Sequence, residues 1–350
     1  MAKLTYRDAG LDLELYDKSL AAIAPLCRRT QDRNRVLDGF GGFASLFLLR
    51  GADLKKYDEP VLVSSTDGVG TKLKIAGLMN RHDTVGIDLV AMSVNDALCV
   101  GAEPLCFLDY LALPKDDPDL IATLVKGISD GCLDAGCSLV GGETAILPDF
   151  YKPGDYDMAG FCIGVVEKNA IVDGSKVEIG DVVLGLASTG LHSNGYSLAR
   201  KVVFDRLGLK VDAHVAELGG PVGDALLTPT RIYVKPIRAM LAKHGAAIHG
   251  LAHITGEGIP GNVPRVLPPG RCASLKKGSW PVPAIFDWLR KSGDIDEAEM
   301  FTVFNMGIGF VVIVSQAVAD EVRRSLAAEH GVPAFVLGEI VAGEASVHWR

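Results

Sequence analysis

Apolar residues along the chain recur at two spacings, and the places where one gives way to the other predict the elements. Residues 61–65 form a β-branched, strand-like run, residues 86–100 carry apolar side chains at helical spacing, and 105–111 read as a near-continuous apolar strand. A helix over 118–135 leads to a short strand at 138–140, and another strand spans 159–166. The polar, turn-prone stretch Lys168-Asn-Ala-Ile-Val-Asp-Gly-Ser175 then breaks the pattern, and Gly180-Asp181 opens a strand at 182–187. Beyond it come helices at 195–207 and 229–244, a strand at 247–253 and a helix near 283–292. A strand at 307–314, a helix at 316–330 and a strand at 334–340 complete the series. Alternation on both sides of a polar junction predicts an α/β (α+β) chain of two domains, 1–168 and 169–350, each a mixed sheet flanked by helices. The first sixty residues give only a helix at 19–29 and the glycine-rich Gly39-Phe-Gly-Gly-Phe43, a stretch expected to move until ligand binds.

Composition narrows the function. A chain of 350 residues exceeds the size of one hydrophobic core, which places a cleft between two domains. With 48% hydrophobic and 22% charged residues the chain is an ordinary globular protein, and disorder is excluded. A net charge of -8 weighs against unspecific nucleic-acid binding, so phosphate must be met by local chemistry. The 7 cysteines are scattered, without a CxxC pair, as expected of reduced core thiols in a cytosolic protein. Met1-Ala-Lys-Leu-Thr-Tyr6 lacks a signal-peptide layout and no apolar run approaches a membrane span. The expectation is a cytoplasmic protein with neither membrane nor nucleic acid as partner.

The densest chemistry is Ser64-Ser-Thr-Asp-Gly-Val-Gly-Thr-Lys72, where a strand enters a loop suited to polyphosphate. Gly68 and Gly70 let backbone N–H groups approach anionic oxygens, Thr66 and Thr71 add hydroxyls, Lys72 adds a cation, and Asp67 can hold Mg²⁺. The spacing is not that of a Walker A loop, and the competing reading is a solvated glycine turn. On the helix that follows, Asp88, Asn95 and Asp96 are expected on one side, facing a metal or a second loop, or else making ordinary side-chain to backbone bonds. Asp109 interrupts an apolar strand, and Glu143 in Gly141-Gly-Glu-Thr144 follows a strand as Asp67 does. Together these carboxylates suit Mg²⁺. In the second half, Thr189-Gly-Leu-His-Ser-Asn-Gly-Tyr196 leads into a helix and can meet a phosphate. His192 is there a proton donor, an electrophilic contact or merely a packing residue. His253-Ile-Thr-Gly-Glu-Gly258 and Asn262-Val-Pro-Arg265 offer another phosphate or base contact, while His249 is given no role.

Ser65-Thr-Asp-Gly-Val-Gly-Thr-Lys72, Asn95-Asp96, Gly101-Ala-Glu-Pro104, Phe107-Leu-Asp-Tyr110, Gly141-Gly-Glu-Thr-Ala145 and Gly190-Leu-His-Ser-Asn-Gly-Tyr-Ser197 stand in the order and spacing of one family's motifs. With Leu227-Thr-Pro-Thr-Arg-Ile-Tyr-Val-Lys235, Ala252-His-Ile-Thr255, Asn262-Val-Pro-Arg265 and Phe304-Asn-Met-Gly-Ile-Gly309, the chain resembles the phosphoribosylformylglycinamidine cyclo-ligases, or aminoimidazole ribonucleotide synthetases. The resemblance implies that family's two-domain fold, a homodimer built around the N-terminal domains, ATP with Mg²⁺ near the dimer interface, dependence on K⁺, and a phosphorylated ribonucleotide substrate in purine biosynthesis. Residue chemistry and resemblance together nominate Asp67, Lys72, Asp96 and His192 as catalytic, with Mg²⁺ on Asp67, Asp96 and Glu143. ATP and its phosphates are assigned to Thr66, Gly68, Gly70, Thr71, Asn95, Asp109, Gly141, Gly142 and Thr144, and the substrate to Ser193, Asn194, Gly195, Tyr196, His253, Thr255 and Gly256.

Departures from the family pattern at Ile146, at Glu257 and at Thr302-Val303, where a carboxylate, a glycine and an Arg-Thr pair are usual, motivate a second reading. In it the chain is a catalytically weakened nucleotide-binding paralogue, or another kinase-like member of the same ATP-binding superfamily. Cys27 lies in Pro25-Leu-Cys-Arg-Arg29 rather than a glycine-rich loop, which argues against selenophosphate synthase. The ending Val347-His-Trp-Arg350 argues against the hydrogenase-maturation dehydratase, and the HSNGYS and PTRIYVK segments argue against thiamine-monophosphate kinase.

Overall fold

A computed structural model describes residues 13–37, 46–48 and 57–350. The glycine-rich 39–43 lies outside the described residues. The first half contains α1 (Leu13–Arg28), β1 (Pro60–Gly68), α2 (Leu73–Met79), α3 (Val85–Leu98), β2 (Glu103–Leu113), α4 (Pro118–Ala135), β3 (Ser138–Ile146) and β4 (Asp157–Glu167). Its four strands are ordered β1-β4-β2-β3, antiparallel except for the parallel pair β2 and β3.

The second half begins with β5 (Val182–Ala187) and α5 (Tyr196–Arg200), which runs on as a π-helical turn, Lys201–Arg206. A short ribbon of β6 (His214–Val215) and β7 (Gly220–Pro221) precedes α6 (Val222–Leu227), α7 (Val234–His244), β8 (Ile248–His253), α8 (Gly258–Asn262) and β9 (Arg271–Leu275). Then come α9 (Ala284–Gly293), α10 (Glu297–Val303), β10 (Ile308–Val314), α11 (Ala319–Ala328), β11 (Ala334–Ala342) and β12 (Val347–Trp349). The six strands of this sheet are ordered β12-β9-β11-β5-β10-β8, with β12 parallel to β9 and the other pairs antiparallel. Two mixed sheets flanked by helices are the architecture expected from the sequence.

Local signals explain the best-defined helix. The Asp117 side chain accepts from Leu120 N–H at 3.1 Å, Pro118 fills a first-turn position that needs no donor, and Gly136 ends α4 in the left-handed region at φ 76°. The buried face of α4, with Ile121, Leu124, Val125, Ile128 and Cys132, packs on α3. The two helices touch backbone to backbone: a Cβ at Gly86 would lie 2.3 Å from Ile128 N, so a larger residue there would push them apart.

Helix α3 positions the site because it packs on both domains. All its residues except Ile87 and Asp96 are buried, and it contacts β1, β4 and α4 on one side and α7 and β8 of the second domain on the other. On the opposite face of the first sheet Val36 and Phe47 pack against Leu108 and Ile163, and other apolar side chains there are exposed. Leu62 is 65%, Phe161 41% and Tyr110 40% exposed on this face.

Three expectations change. Strand β3 runs through Gly141-Gly-Glu-Thr144, because Tyr110 and Leu111 of β2 continue to pair with Glu143 and Thr144. The GGET segment is therefore a strand rather than a loop, since an available ladder outweighs the weak strand propensity of glycine. Likewise β1 continues through Asp67 and Gly68, opposite Gly160 and Ala159. The helix expected over 229–244 starts only at Val234, because Thr228 to Tyr233 give their backbone groups to partners in the first domain.

A candidate active site between the domains

The C-terminal end of β1 and the second sheet face each other across α3. Gly68 N–H donates to Asp67 Oδ1 at 2.7 Å, and Gly70, at φ 70°, turns the chain away from the strand. Burial raises the Asp67 pKa; the Gly68 N–H opposes that rise, the neighbouring Asp96 charge adds to it and His253 offsets it in part. Asp96, one of the two residues of α3 left unburied, has its Oδ1 2.9 Å from His253 Nδ1, at hydrogen-bond distance. The His253 ring stacks over Phe310 with centroids 6.3 Å apart, and its Nε2 has no partner.

Two cavities open along this seam. One, of about 280 Å³, is lined by Asp67 to Gly70, Met92, Ser193, Asn194 and Thr255. The other, of about 310 Å³, lies one helical turn further along α3 and includes Asp96, Cys99, His253, Asn262 and Arg265. Asn194 presents to this cleft a buried amide nitrogen, Nδ2, that no group among the described residues satisfies. An unmade bond of that kind inside a pocket is a mark of a ligand contact. Thr255 Oγ1 reaches Asn262 Oδ1 at 3.4 Å, and Asn262 Nδ2 donates to Gly256 O at 2.7 Å and Gly258 O at 2.8 Å. One buried amide thus fixes the Thr255 to Gly258 loop.

The geometry corrects the expectation for Lys72. Its ammonium is fully buried and uses all three donors: on Asp88, at 2.9 and 2.8 Å, on His192 O at 3.1 Å and on Thr228 O at 2.7 Å. Asp88 in turn accepts from Thr230 N–H at 2.7 Å, Thr230 Oγ1 at 2.6 Å and Ser193 Oγ at 3.3 Å. Lys72 therefore ties the domains together, and its charge is spent before any phosphate arrives. Asn95 is corrected in the same way: buried, it donates from Nδ2 to Arg231 O and accepts from Tyr233 N–H through Oδ1, each at 2.9 Å. Thr230 is the residue the sequence reading missed. Its only signal was the family-like PTRIYVK segment.

His192 is also not a solvent-facing acid. Buried, with φ 62°, it accepts through Nε2 from Thr189 N–H at 3.2 Å and Arg231 N–H at 3.5 Å, which leaves the ring proton on Nδ1. Burial, with the charges of His253, Lys72 and Arg231, holds its pKa well below the usual value, so the ring is neutral. Tyr196 is buried and donates from its hydroxyl to Leu226 O at 2.5 Å, and Gly195 rests on Phe304. Both shape the loop from within. Ser193 and Asn194 face the cleft.

The remaining nominees fall elsewhere on the first sheet. Asp109 lies on the same face as Asp67, both opposite Gly160. Asp109 as a whole is partly exposed, but its carboxyl is enclosed against Gly142, whose Cβ would sit 2.2 Å from Oδ1, and burial pushes its pKa up to about 7. Thr66 Oγ1 donates to Gly160 O at 2.8 Å, and exposed Thr71 pairs with Ser197 at 3.5 Å. Glu143, opposite the exposed Tyr110, is on the other face of the sheet by strand alternation. Glu143 is thus corrected as a co-ligand of Asp67 and Asp96, and no group of three His, Cys, Asp or Glu comes together for a metal among the described residues. Asp67 and Asp96 still suit a hard cation that takes one or two protein carboxylates and completes its shell with phosphate and water.

A polar cleft between two α/β domains, with a glycine-rich strand end on one side and an unsatisfied amide on the other, defines a two-domain enzyme-like ligand site. Comparison with known proteins specifies it further. Residues 52–166 match the N-terminal domain and residues 178–350 the C-terminal domain of AIR synthase related proteins. A phosphoribosylformylglycinamidine cyclo-ligase of Caldanaerobacter subterraneus subsp. tengcongensis is 52% identical over 98% of this chain and 99% of its own. One of Bordetella petrii is 54% identical over 97% of this chain and 95% of its own. This chain belongs to the AIR synthase related family. The same fold is seen in thiamine-monophosphate kinase from Stenotrophomonas maltophilia, at 18% identity and TM-score 0.67 over 94% of this chain and 95% of that one. It is seen again in a hydrogenase maturation protein HypE solved in complex with ATP, at 16% identity and TM-score 0.64 over 96% and 89%.

Proposed function

We propose that this chain catalyses the ATP-dependent cyclisation of formylglycinamidine ribonucleotide to aminoimidazole ribonucleotide, with release of ADP and phosphate, in purine biosynthesis. The observation that carries this reading is identity above 50% to cyclo-ligases over essentially the whole chain, cleft included. ATP supplies the phosphoryl group that turns the formyl oxygen into a leaving group, after which the neighbouring nitrogen closes the ring.

The chain's own part is binding and orientation. Asp67 and Asp96 would hold Mg²⁺, which would neutralise phosphate charge, and the Gly68 to Gly70 turn offers backbone N–H groups to the phosphates. Asn194 Nδ2 and the Thr255 hydroxyl position the reacting amide, and the buried walls around Met92 exclude water. The unit 1–168 carries nucleotide binding and dimerisation. A second copy covers the exposed part of the outer sheet face, because Leu62, Tyr110 and Phe161 form an apolar surface next to Thr66 and Glu143. On this reading Thr66 and Glu143, which miss the cleft, belong to the dimer surface, and the enzyme works in the cytoplasm.

The test is phosphate release by the purified protein with ATP, Mg²⁺ and K⁺, with and without formylglycinamidine ribonucleotide, while product formation is followed. Ribonucleotide-dependent phosphate matched by product supports the reading. ATP binding without turnover overturns it in favour of the weakened paralogue.

A further inference from the structure

The cleft is short of positive charge. Asp67 and Asp96 line it, Asp173 stands at its far end, and Lys72, the cation nearest the glycine-rich turn, is locked between the domains. Among the described residues lining the two cavities, Arg265 is the one permanent cation. A phosphate ester entering such a site needs a fixed partner, and a guanidinium offers a planar fork of donors.

Arg265 is placed and free to serve. It lies in the turn Val263–Val266, makes one long hydrogen bond from Nη1 to Asn262 Oδ1 at 3.3 Å, and has no ion pair. Asn262 is the same buried residue that staples the Thr255 to Gly258 loop, so the guanidinium is steadied by the part of the cleft that faces the ligand. Its other donors remain available.

We propose that Arg265 anchors the phosphate of the ribonucleotide substrate. The inference rests on the function proposed above and fixes the direction of the substrate. Its phosphate lies at the Arg265 end, its ribose passes Asp96 and His253, and its formyl group reaches the Asn194 and Asp67 end where ATP is bound.

The test compares formylglycinamidine ribonucleotide with its dephosphorylated riboside, in the unaltered protein and in Arg265→Met and Arg265→Lys. Arg265→Met should raise KM for the ribonucleotide ~10- to 100-fold, the range of a charge-assisted contact, with KM for ATP unchanged. Arg265→Lys should recover part of the loss, and the preference for the phosphorylated substrate should collapse in Arg265→Met. Thermal melts of both variants should match the unaltered protein, because the side chain is exposed. A variant that keeps the phosphate preference, or raises KM for ATP instead, overturns the assignment while leaving the cyclo-ligase reading intact. An unaltered protein that does not turn over the ribonucleotide removes both.

Discussion

Lys72→Met separates the two roles open to this lysine. Methionine keeps the length of the stem but removes the ammonium, leaving Asp88 buried without its counter-charge. Loss of one partner from a buried ion pair typically costs ~3–5 kcal/mol. Asp88 keeps three donors, Thr230 N–H, Thr230 Oγ1 and Ser193 Oγ, so the lower end, ~3 kcal/mol, is expected. In a chain of this size, with an unfolding entropy of about 2.1 cal/mol/K per residue, that corresponds to a fall in melting temperature of roughly 4 °C. Adding Asp88→Asn removes the stranded charge while keeping an acceptor for Thr230, and the double variant should regain most of the loss. Differential scanning calorimetry reads the stability, and ATP titration reads the alternative. A Lys72→Met protein that melts within about 2 °C of the parent but binds ATP far more weakly would refute the interdomain tie and return Lys72 to the phosphates.

Other perturbations test separate parts of the structure. Asp109 has a folded pKa of about 7 against an ordinary 3.8, so its stabilising contribution is complete below about pH 4 and lost as pH rises through 7. Asp109→Asn should therefore raise the melting temperature of the ligand-free protein at pH 8 relative to the parent and not at pH 4, with ~4 kcal/mol as the ceiling set by that gap. Leu62→Asp, on the exposed apolar surface proposed to meet a second copy, should shift the molecular mass in sedimentation from dimer towards monomer with little change in subunit melting, and a parent protein that sediments as a monomer would refute that interface. Asp67→Asn should weaken ATP binding when Mg²⁺ is present and strengthen it when EDTA is present; calorimetric titration showing the same sign in both would count against Asp67 as a metal ligand.

What the sequence made legible follows the range of the forces involved. Helix α4 was predicted over 118–135, the span observed, because Asp117, Pro118 and Gly136 act within one turn of the helix they bound. Strand β5 was equally plain. The GGET segment was misread because its strand character comes from β2, more than thirty residues away in sequence. The α3 polar residues illustrate a finer failure. Residues seven apart differ by only ~20° around a helix, whereas eight apart differ by ~80°. Asp88 and Asn95 therefore share the stripe that meets the second domain, while Asp96 is turned out to the cleft. No local pattern announced the partners of Lys72, since Asp88, His192 and Thr228 are brought together only when both domains have folded.

Withdrawal of Lys72 into the domain junction determines how the cleft must handle its two ligands. A carboxylate and a phosphate oxygen 4 Å apart repel by ~4 kcal/mol in a partly screened protein environment, and Asp67 and Asp96 face the same space. A polyphosphate is therefore held beside them only with a cation that travels with it, and a divalent ion between the charges turns repulsion into attraction. The ribonucleotide carries a single phosphate and needs no such companion if a fixed guanidinium meets it at the other end. With Asp67, Asp96 and Arg265 in the roles proposed above, binding of the nucleotide, but not of the ribonucleotide, should depend on the concentration of divalent cation, and calorimetric titrations of each ligand with and without EDTA read that difference.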